Sequence, residues 1–573
     1  MIDFIFIRSN KNNSNNLIKK YKSIVVHDIG VLYFHAKKSK EINFRDHKYI
    51  VIGDFWEESG IEGRSFNEII YSLKGIYYIL EFGDHVRIAS SLFNLLPIYF
   101  TKNADQVSSS FALLAENYTA DAEIDKKFIL EQLLFNYGFF NRTLVKNISL
   151  LPCNHHLVLN ADSFSMERHY DIRNSFHSSK DISVKTRKEM AGLLIDIAKG
   201  YFPNEPFDIS FTSGFDGRTI VSCALDSKKD FKTFSYGKIG NDDVDIPMRN
   251  AKELGIPYEL IDLSKDDYLS EYMDCSLKLV REFGGFNGFI YSHFLYSAKL
   301  VSQRSNYLFT GYMGSEIFRT SHMSGAVVAQ ALYDLFARDN DESREVISNS
   351  PMLETLNMER FNSDLKELVG ELIDYRSSLP SGLTLNQQFY VFVFEEIFRK
   401  VFGVWTKAQM EHINVRLPFI DIRFVESLLK TGFAGANNDF YTNNPIKRHK
   451  GQLIYGEIIK RNSPAISRQK TGKGYRPTDL VDLFGWVHIM SPYIVKRIRR
   501  RMQATDFDNL SIISGVLRNR EFLQNYFGKN SLFKEKTMSE MFSGFAPLMN
   551  EKLRDNLLAS LSLVIEIDHL LKK

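Results

Sequence analysis

Cysteine is scarce. Of 573 residues only Cys153, Cys223 and Cys275 are cysteines, and they lie far apart. Neither a disulfide framework nor a metal-binding spacing is available to them, and a reducing compartment fits. Long apolar runs are missing too. No stretch reaches the roughly 18 apolar residues a membrane helix needs. The start Met1-Ile2-Asp3-Phe4-Ile5-Phe6-Ile7-Arg8 has neither a basic leader nor a cleavable apolar core. No membrane association is expected, and the cytoplasm is the default location. Neither sign of charge dominates, with 72 Lys and Arg against 69 Asp and Glu, a net +3. That balance gives no general affinity for nucleic acid. The basic run Lys496, Arg497, Arg499, Arg500 and Arg501 reads as a solvated helix face. No internal repeat is found.

What the chain does have is apolar bulk. It is 44% apolar, with 46 Phe and 27 Tyr, enough for extensive core packing. Its length predicts two or more domains. Up to about residue 170 the pattern is strand-rich. Apolar runs recur at Phe4 to Ile7, Ile24 to Val26, Tyr49 to Ile52, Ile76 to Leu80, Val86 to Ala89, Ile98 to Phe100 and His156 to Leu159. Turn residues such as Gly53-Asp54 and Gly83-Asp84 separate them, and one helical interval runs from Lys126 to Tyr137. Stacked antiparallel sheets are expected there. From about residue 183 strands alternate with helices, the pattern of a parallel α/β sheet. Strands are expected at Phe231 to Tyr236 and Tyr258 to Leu263 around a helix from Asp242 to Leu254, followed by a mostly helical remainder.

The stretch Asp208-Ile-Ser-Phe-Thr-Ser-Gly-Phe-Asp-Gly-Arg-Thr-Ile-Val-Ser-Cys-Ala-Leu225 reads as strand, tight turn and helix. Such a turn aims backbone N–H groups and the positive end of a helix at one point, which suits a phosphate. The hydroxyls of Thr212 and Ser213 add donors, and Asp216 can hold magnesium against the same phosphates. Four further stretches follow in order: Tyr307 to Ile317, Asn414 to Asp421, Lys447-Arg-His-Lys450, and Arg468-Gln-Lys-Thr-Gly-Lys-Gly474.

Together these stretches resemble the asparagine synthetase family, whose synthetase domain is an ATP pyrophosphatase. The family's Ser-Gly-Gly-x-Asp-Ser loop falls on Thr212, Ser213, Gly214, Phe215, Asp216 and Gly217. Its later Ser-Gly-(Asp/Glu)-Gly-x-Asp-Glu falls on Thr310 to Glu316, and its Val-Arg-Val-Pro-Phe-Leu-Asp matches Val415 to Asp421. Gly75 to Leu80, Arg87 to Ala89 and Asn94 to Phe100 follow its N-terminal pattern. The resemblance implies a glutaminase-like (Ntn-type) antiparallel β sandwich over residues 1–175. It implies a parallel-sheet α/β synthetase domain with a helical C-terminal part over residues 176–573. A glutaminase of this type uses a cysteine at the mature N-terminus; this chain begins Met1-Ile2 and has no cysteine before Cys153. Glutamine hydrolysis is therefore not expected, as in β-lactam synthetases and lasso-peptide cyclases, which take an amine from the substrate itself.

The activity this implies is ATP-dependent amide formation through an acyl adenylate. The cofactors are ATP and Mg2+, and the substrate is a small molecule or peptide bearing a carboxylate and an amine. Thr212, Ser213, Gly214 and Gly217 would cradle phosphate, with the backbone near Ser235 and Gly311 at the adenine. Lys450 and Lys470, 20 residues apart, would stabilise developing charge. Lys447 and Lys473 read as solvated surface residues. Tyr312, paired with a carboxylate for which Glu396 is the candidate, would take the amine proton; an ordinary tyrosine, with a pKa of roughly 10, needs such a partner. Two positions depart from the family: Ser315 replaces its second magnesium-binding aspartate, and Gly217 its closing serine. Asp216 with Glu316, or the Asp242-Asp243 pair ahead of the second helix, would supply the metal ligands. Two alternatives stay open, a degenerate binding or scaffold protein and asparagine synthesis from free ammonia. A homodimer is compatible with the sequence.

Overall fold

The computed structural model describes residues 2–8, 21, 23–36, 39–44, 47–56, 63–117, 123–319, 327–440, 450–490, 508–545 and 549–572. The basic run from Lys496 to Arg501, and Lys447, lie outside the described residues.

Alternation of apolar side chains organises the N-terminal part. In the strand Lys74–Phe82, Ile76, Tyr78, Leu80 and Phe82 enter the main core while Tyr77 and Ile79 enter a second one. The sheet is thus buried on both faces. It is antiparallel, in the order Phe164–Arg168, His155–Leu159, Val86–Ser90, Lys74–Phe82, His47–Trp56, Ser39–Phe44. A second antiparallel sheet runs Ile148–Leu150, Tyr99–Thr101, Gln106–Ser108, Ile2–Arg8, Gly30–Ala36, Ser23–His27. The two meet through Phe4 on Tyr78, edge to face at 5.0 Å, and Phe6 on Phe82 at 6.4 Å. Helix Phe66–Ser72, started by a Ser65/Glu68 capping box, covers the outer face with Phe66, Ile69 and Ile70.

One predicted turn is overturned. Gly53-Asp54 lies inside the ten-residue strand His47–Trp56, paired with Tyr77 and Ile76. Gly53, at φ 131°, is there because the neighbouring backbone passes so close; a Cβ would stand 2.6 Å from the carbonyl oxygen of Ile76.

From helix Val184–Tyr201 onward the architecture changes to α/β. Five parallel strands stand in the order Tyr258–Asp262, Phe231–Gly237, Phe207–Ser210, Tyr307–Phe309, Asn414–Arg416. Helix Asp216–Asp226 links the first two strands in sequence, and helix Asp242–Leu254 the next two. The latter opens on an Asn241 cap and closes on left-handed Gly255. In chain order the sheet reads 3-2-1-4-5. Its connections reverse direction between Phe207–Ser210 and Tyr307–Phe309, which are hydrogen-bonded neighbours.

Buried charge joins the two parts. The Arg416 guanidinium bonds both oxygens of Asp54, at 2.7 and 3.2 Å, and lies over the rings of Trp56 (4.1 Å) and Tyr307 (4.3 Å). Lys407 pairs with Asp3, and Arg399 donates to the carbonyl of Leu151 at 2.9 Å. Removing one partner of a buried pair leaves the other charge uncompensated, so Arg416→Met should cost about 3–5 kcal/mol of stability. The double variant Asp54→Leu/Arg416→Met should recover part of that loss. Urea unfolding of the native chain and both variants measures the two values, and a double variant no better than the single would refute the buried-charge account.

Candidate functional site

In open α/β sheets ligands bind outside the carboxyl ends of the strands, where the connections reverse. Here that point lies above Ser210 and Phe309, and the two loops leaving it are interlocked. A Cβ on Gly311 would press into the Cβ of Asp216 and stand 2.9 Å from the amide nitrogen of Gly217. A Cβ on Gly314 would lie 2.7 Å from the hydroxyl of Tyr455 and 2.9 Å from Asp216 Oδ1. Gly217 is itself closed against the carbonyl oxygen of Ser210. The serine that the resemblance would put there has no room in this loop.

Asp216 is the first residue of helix Asp216–Asp226, and its carboxylate is the hub. Ser315 Oγ donates to Oδ2 at 2.8 Å and the Tyr455 hydroxyl donates to Oδ1. Burial, then the charge of Asp216, holds the Tyr455 hydroxyl well above the usual phenol range. Its ring lies nearly parallel to Phe215, 5.9 Å away. Burial also lifts the Glu316 carboxyl to about 7, with Asp216 adding to the rise and Arg319 opposing it. The charge of Asp216 is thus felt at Glu316. Among the described residues no group of three or more His, Cys, Asp or Glu could hold a metal. Two carboxylates are nevertheless the complement magnesium uses when substrate phosphates and water fill the rest of its shell. Asp216 and Glu316 fit that ion, provided a hydroxyl yields one oxygen of Asp216.

The phosphate-loop residues are brought together with a partner the sequence reading placed elsewhere. Thr212 Oγ1 accepts from the amide of Gly214 at 3.3 Å. The amide and hydroxyl of Ser213 both donate to Asp243 Oδ1, at 3.2 and 2.5 Å. Asp242 and Asp243 sit in the first turn of helix Asp242–Leu254, not ahead of it, and Asp243 holds the loop instead of joining Asp216 and Glu316. Thr310, 1% exposed, keeps a hydroxyl with no hydrogen-bond partner, an orphan at the mouth of the second loop.

The lysine loop closes on the same place. The amide of Gly472 donates to the carbonyl of Ser213 at 3.0 Å. The Arg218 guanidinium, fully buried, spans from the carbonyl of Gly214 (3.4 Å) to that of Lys470 (3.5 Å). Burial lowers its pKa to about 10. Lys470 itself is exposed. Lys450 is half-buried, two residues before the helix Gln452–Asn462 that carries Tyr455. Lys473, read as a solvated residue, instead donates to Gln452 Oε1 at 2.9 Å and lies 4.9 Å from the centroid of the Phe215 ring. Ser235 is buried within strand Phe231–Gly237 with its hydroxyl on the carbonyl of Phe211.

The proposed base pair is not formed. Tyr312 packs on Trp405, Phe294 and Phe402 at 5.6, 5.9 and 6.1 Å. Burial raises its hydroxyl well above the ordinary value, Tyr236 adding and Gln409 opposing. Glu396 is bonded to Arg399 (2.7 Å) and Lys400 (2.6 Å), the cations that reach carbonyls of the N-terminal part. Glu396 and Phe402 share the helix Val393–Phe402 but, six residues apart, occupy different faces, and only the Phe402 face meets Tyr312. Sequence reading missed Tyr455 altogether, gave Arg218 no role although it lies in the strand-turn-helix stretch, and gave Asp243 the role of a metal ligand where it holds Ser213. Compared with known proteins, the chain matches no family model and no curated protein.

Folded Glu316 keeps its proton to about pH 7, whereas an unfolded glutamate loses it near 4.5. Between those values the folded state binds the extra proton, so stability falls as pH rises through the window. Glu316→Gln removes this fall. Relative to the native chain it should gain on the order of 1–3 kcal/mol between pH 4.5 and pH 8. Paired denaturation curves across that range test it, and parallel pH slopes in the two proteins would count against it.

Proposed function

We propose that the chain is an ATP-dependent ligase that activates a carboxylate as its acyl adenylate and joins it to an amine. The observation that carries this reading is the meeting of three segments at the point of strand reversal. The loop Thr212–Gly217, the loop Thr310–Glu316 and the lysine loop Lys470–Gly474 interlock there around Asp216. On this reading the N-terminal sheets are a glutaminase-like, Ntn-type sandwich without its nucleophile, and the protein works in natural-product or peptide-modifying biosynthesis.

In the reaction a substrate carboxylate attacks the α-phosphate of ATP and pyrophosphate leaves; the amine then displaces AMP. Asp216 and Glu316 would hold magnesium, which neutralises the phosphates when bound. Thr212, Ser213, Gly214 and Gly217 would border the phosphates, once Asp243 releases the donors of Ser213. Lys450 and Lys470 would stabilise charge on the departing pyrophosphate and on the acyl oxygen. The backbone at Ser235 and Gly311 would border the adenine. Among the described residues no carboxylate is paired with Tyr312, so its role is to donate a hydrogen bond that orients the substrate; the amine arrives unprotonated, and the proton it sheds as the amide forms passes to the phosphate of the departing AMP. A catalytically silent scaffold is the second reading. The observation favouring it is that a carboxylate and two hydroxyls already satisfy Ser213 and Asp216.

ATP–pyrophosphate exchange with magnesium, over pools of amino acids, small acids and peptides, decides between them. Exchange that depends on one carboxylate should fall about 100- to 1,000-fold in Lys470→Ala. No exchange together with no magnesium-dependent ATP binding would leave the scaffold.

A further inference from the structure

A cavity of about 280 Å3 lies where helix Lys126–Phe135 meets helix Gln330–Ala337, the turn Pro351–Leu353 and the C-terminal helix Glu551–Leu571. None of its lining residues belongs to the strand-end site. A cavity of roughly 150 Å3 takes up benzene, so this one has room for about a dozen heavy atoms. Much of its wall is apolar, with Leu133, Leu134, Val346, Met352 and Ala559.

The polar part of the wall is rich in acceptors. Asp334, Glu551 and Asp555 line it with one ammonium group, Lys552; from outside the lining Arg338 bonds Asp334 Oδ1 at 2.9 Å and Arg554 stands 3.7 Å from Glu551. Arg554 bonds Asp555 through Oδ1 alone, at 3.1 and 3.0 Å, leaving Oδ2 to accept from something else. Asn556 is 5% exposed; its amide donates to the carbonyl of Met352 at 2.5 Å, while its Oδ1 has no partner. A buried acceptor without a donor is costly, and the cost is lifted by a ligand that donates. Burial holds the Asp555 carboxyl up to about 6 against the opposing charge of Arg554, a shift that a second nearby cation would reverse. A carboxylate ligand would stand against the open oxygens of Asp555 and Asn556, and a purely apolar one would leave those acceptors unmet.

We propose that this cavity binds a small organic cation, an ammonium or guanidinium group on an apolar stem, with its head at Asp555, Asp334 and Asn556. The stem lies against Leu133, Leu134 and Ala559. The site is separate from the ligase reading and stands whether or not that reading holds.

Titration calorimetry on the full chain tests it, with phenethylammonium, cadaverine and agmatine as probes and 3-phenylpropionate as the anionic counterpart. At least one amine should bind and raise the melting temperature, and the carboxylate should not. Asp555→Asn should weaken amine binding about tenfold or more, the worth of one charge-assisted hydrogen bond. Because that change also disturbs Arg554, Asp334→Asn on a different helix is the second test and should weaken binding too. Ala559→Phe, which fills the cavity, should abolish it. Failure of all three amines to bind, equal binding of the carboxylate, or binding that survives Ala559→Phe would each overturn the proposal.

Discussion

The approach of Gly311 to Asp216 and Gly217 is the constraint on which the site depends. Two loops more than ninety residues apart are pressed together until no Cβ fits between them. This is possible because their strands, Phe207–Ser210 and Tyr307–Phe309, are neighbours in a parallel sheet and both end at the same level. Parallel pairing carries the chain out of one edge of the sheet twice, and only the point of reversal leaves a crevice there. Everything else at the site is fitted around that crevice. The short helix Gly314–Phe318 brings Ser315 and Glu316 to Asp216, and the helix Gln452–Asn462 adds Tyr455 from the far side.

The electrostatics follow from the same crowding. Asp216 and Glu316 are close enough for the charge of one to raise the carboxyl of the other, in surroundings that already penalise ionisation. Hydroxyl donors from Ser315 and Tyr455 answer the charge on Asp216. Protonation of Glu316 and the two hydroxyl donors on Asp216 together relieve the repulsion between the carboxyls. Ser315 is a neutral donor in a place where a third carboxylate would have added to the repulsion.

Much of the fold was legible because local pattern and tertiary role coincide. The strand-turn-helix at Asp208 to Leu225 lies within a residue of the bounds its apolar period dictates, and helix Asp242–Leu254 has those that its Asn241 cap and Gly255 stop dictate. Gly53-Asp54 misled because glycine has two uses. It marks turns when it supplies φ freedom locally, but here it admits the backbone of a neighbouring strand, a reason visible only once Gly53 is opposite Tyr77. Glu396 misled for a related reason. A carboxylate in a helix has no direction until its face is known, and this one faces Arg399 and Lys400. Tyr455 was out of reach altogether, since nothing local in its helix signals a bond to a residue 239 positions away.

The N-terminal sheets matter to the site although they contribute none of its named residues. Arg416, held by Asp54 and flanked by Trp56, is in register with Phe309 across the last two strands of the parallel sheet. Phe309 directly precedes Thr310. The buried pair that fastens the two parts of the chain is therefore one strand from the loop that must meet Asp216. A few residues on, Asp421 caps helix Ile422–Leu429 while accepting from Tyr201 and facing Lys74 at 3.8 Å, a second fastening on the same edge. The N-terminal part thus acts on the site through structure alone. Its charges set the edge of the sheet, the edge sets the height of Phe309, and that height decides whether Gly311 can reach Asp216.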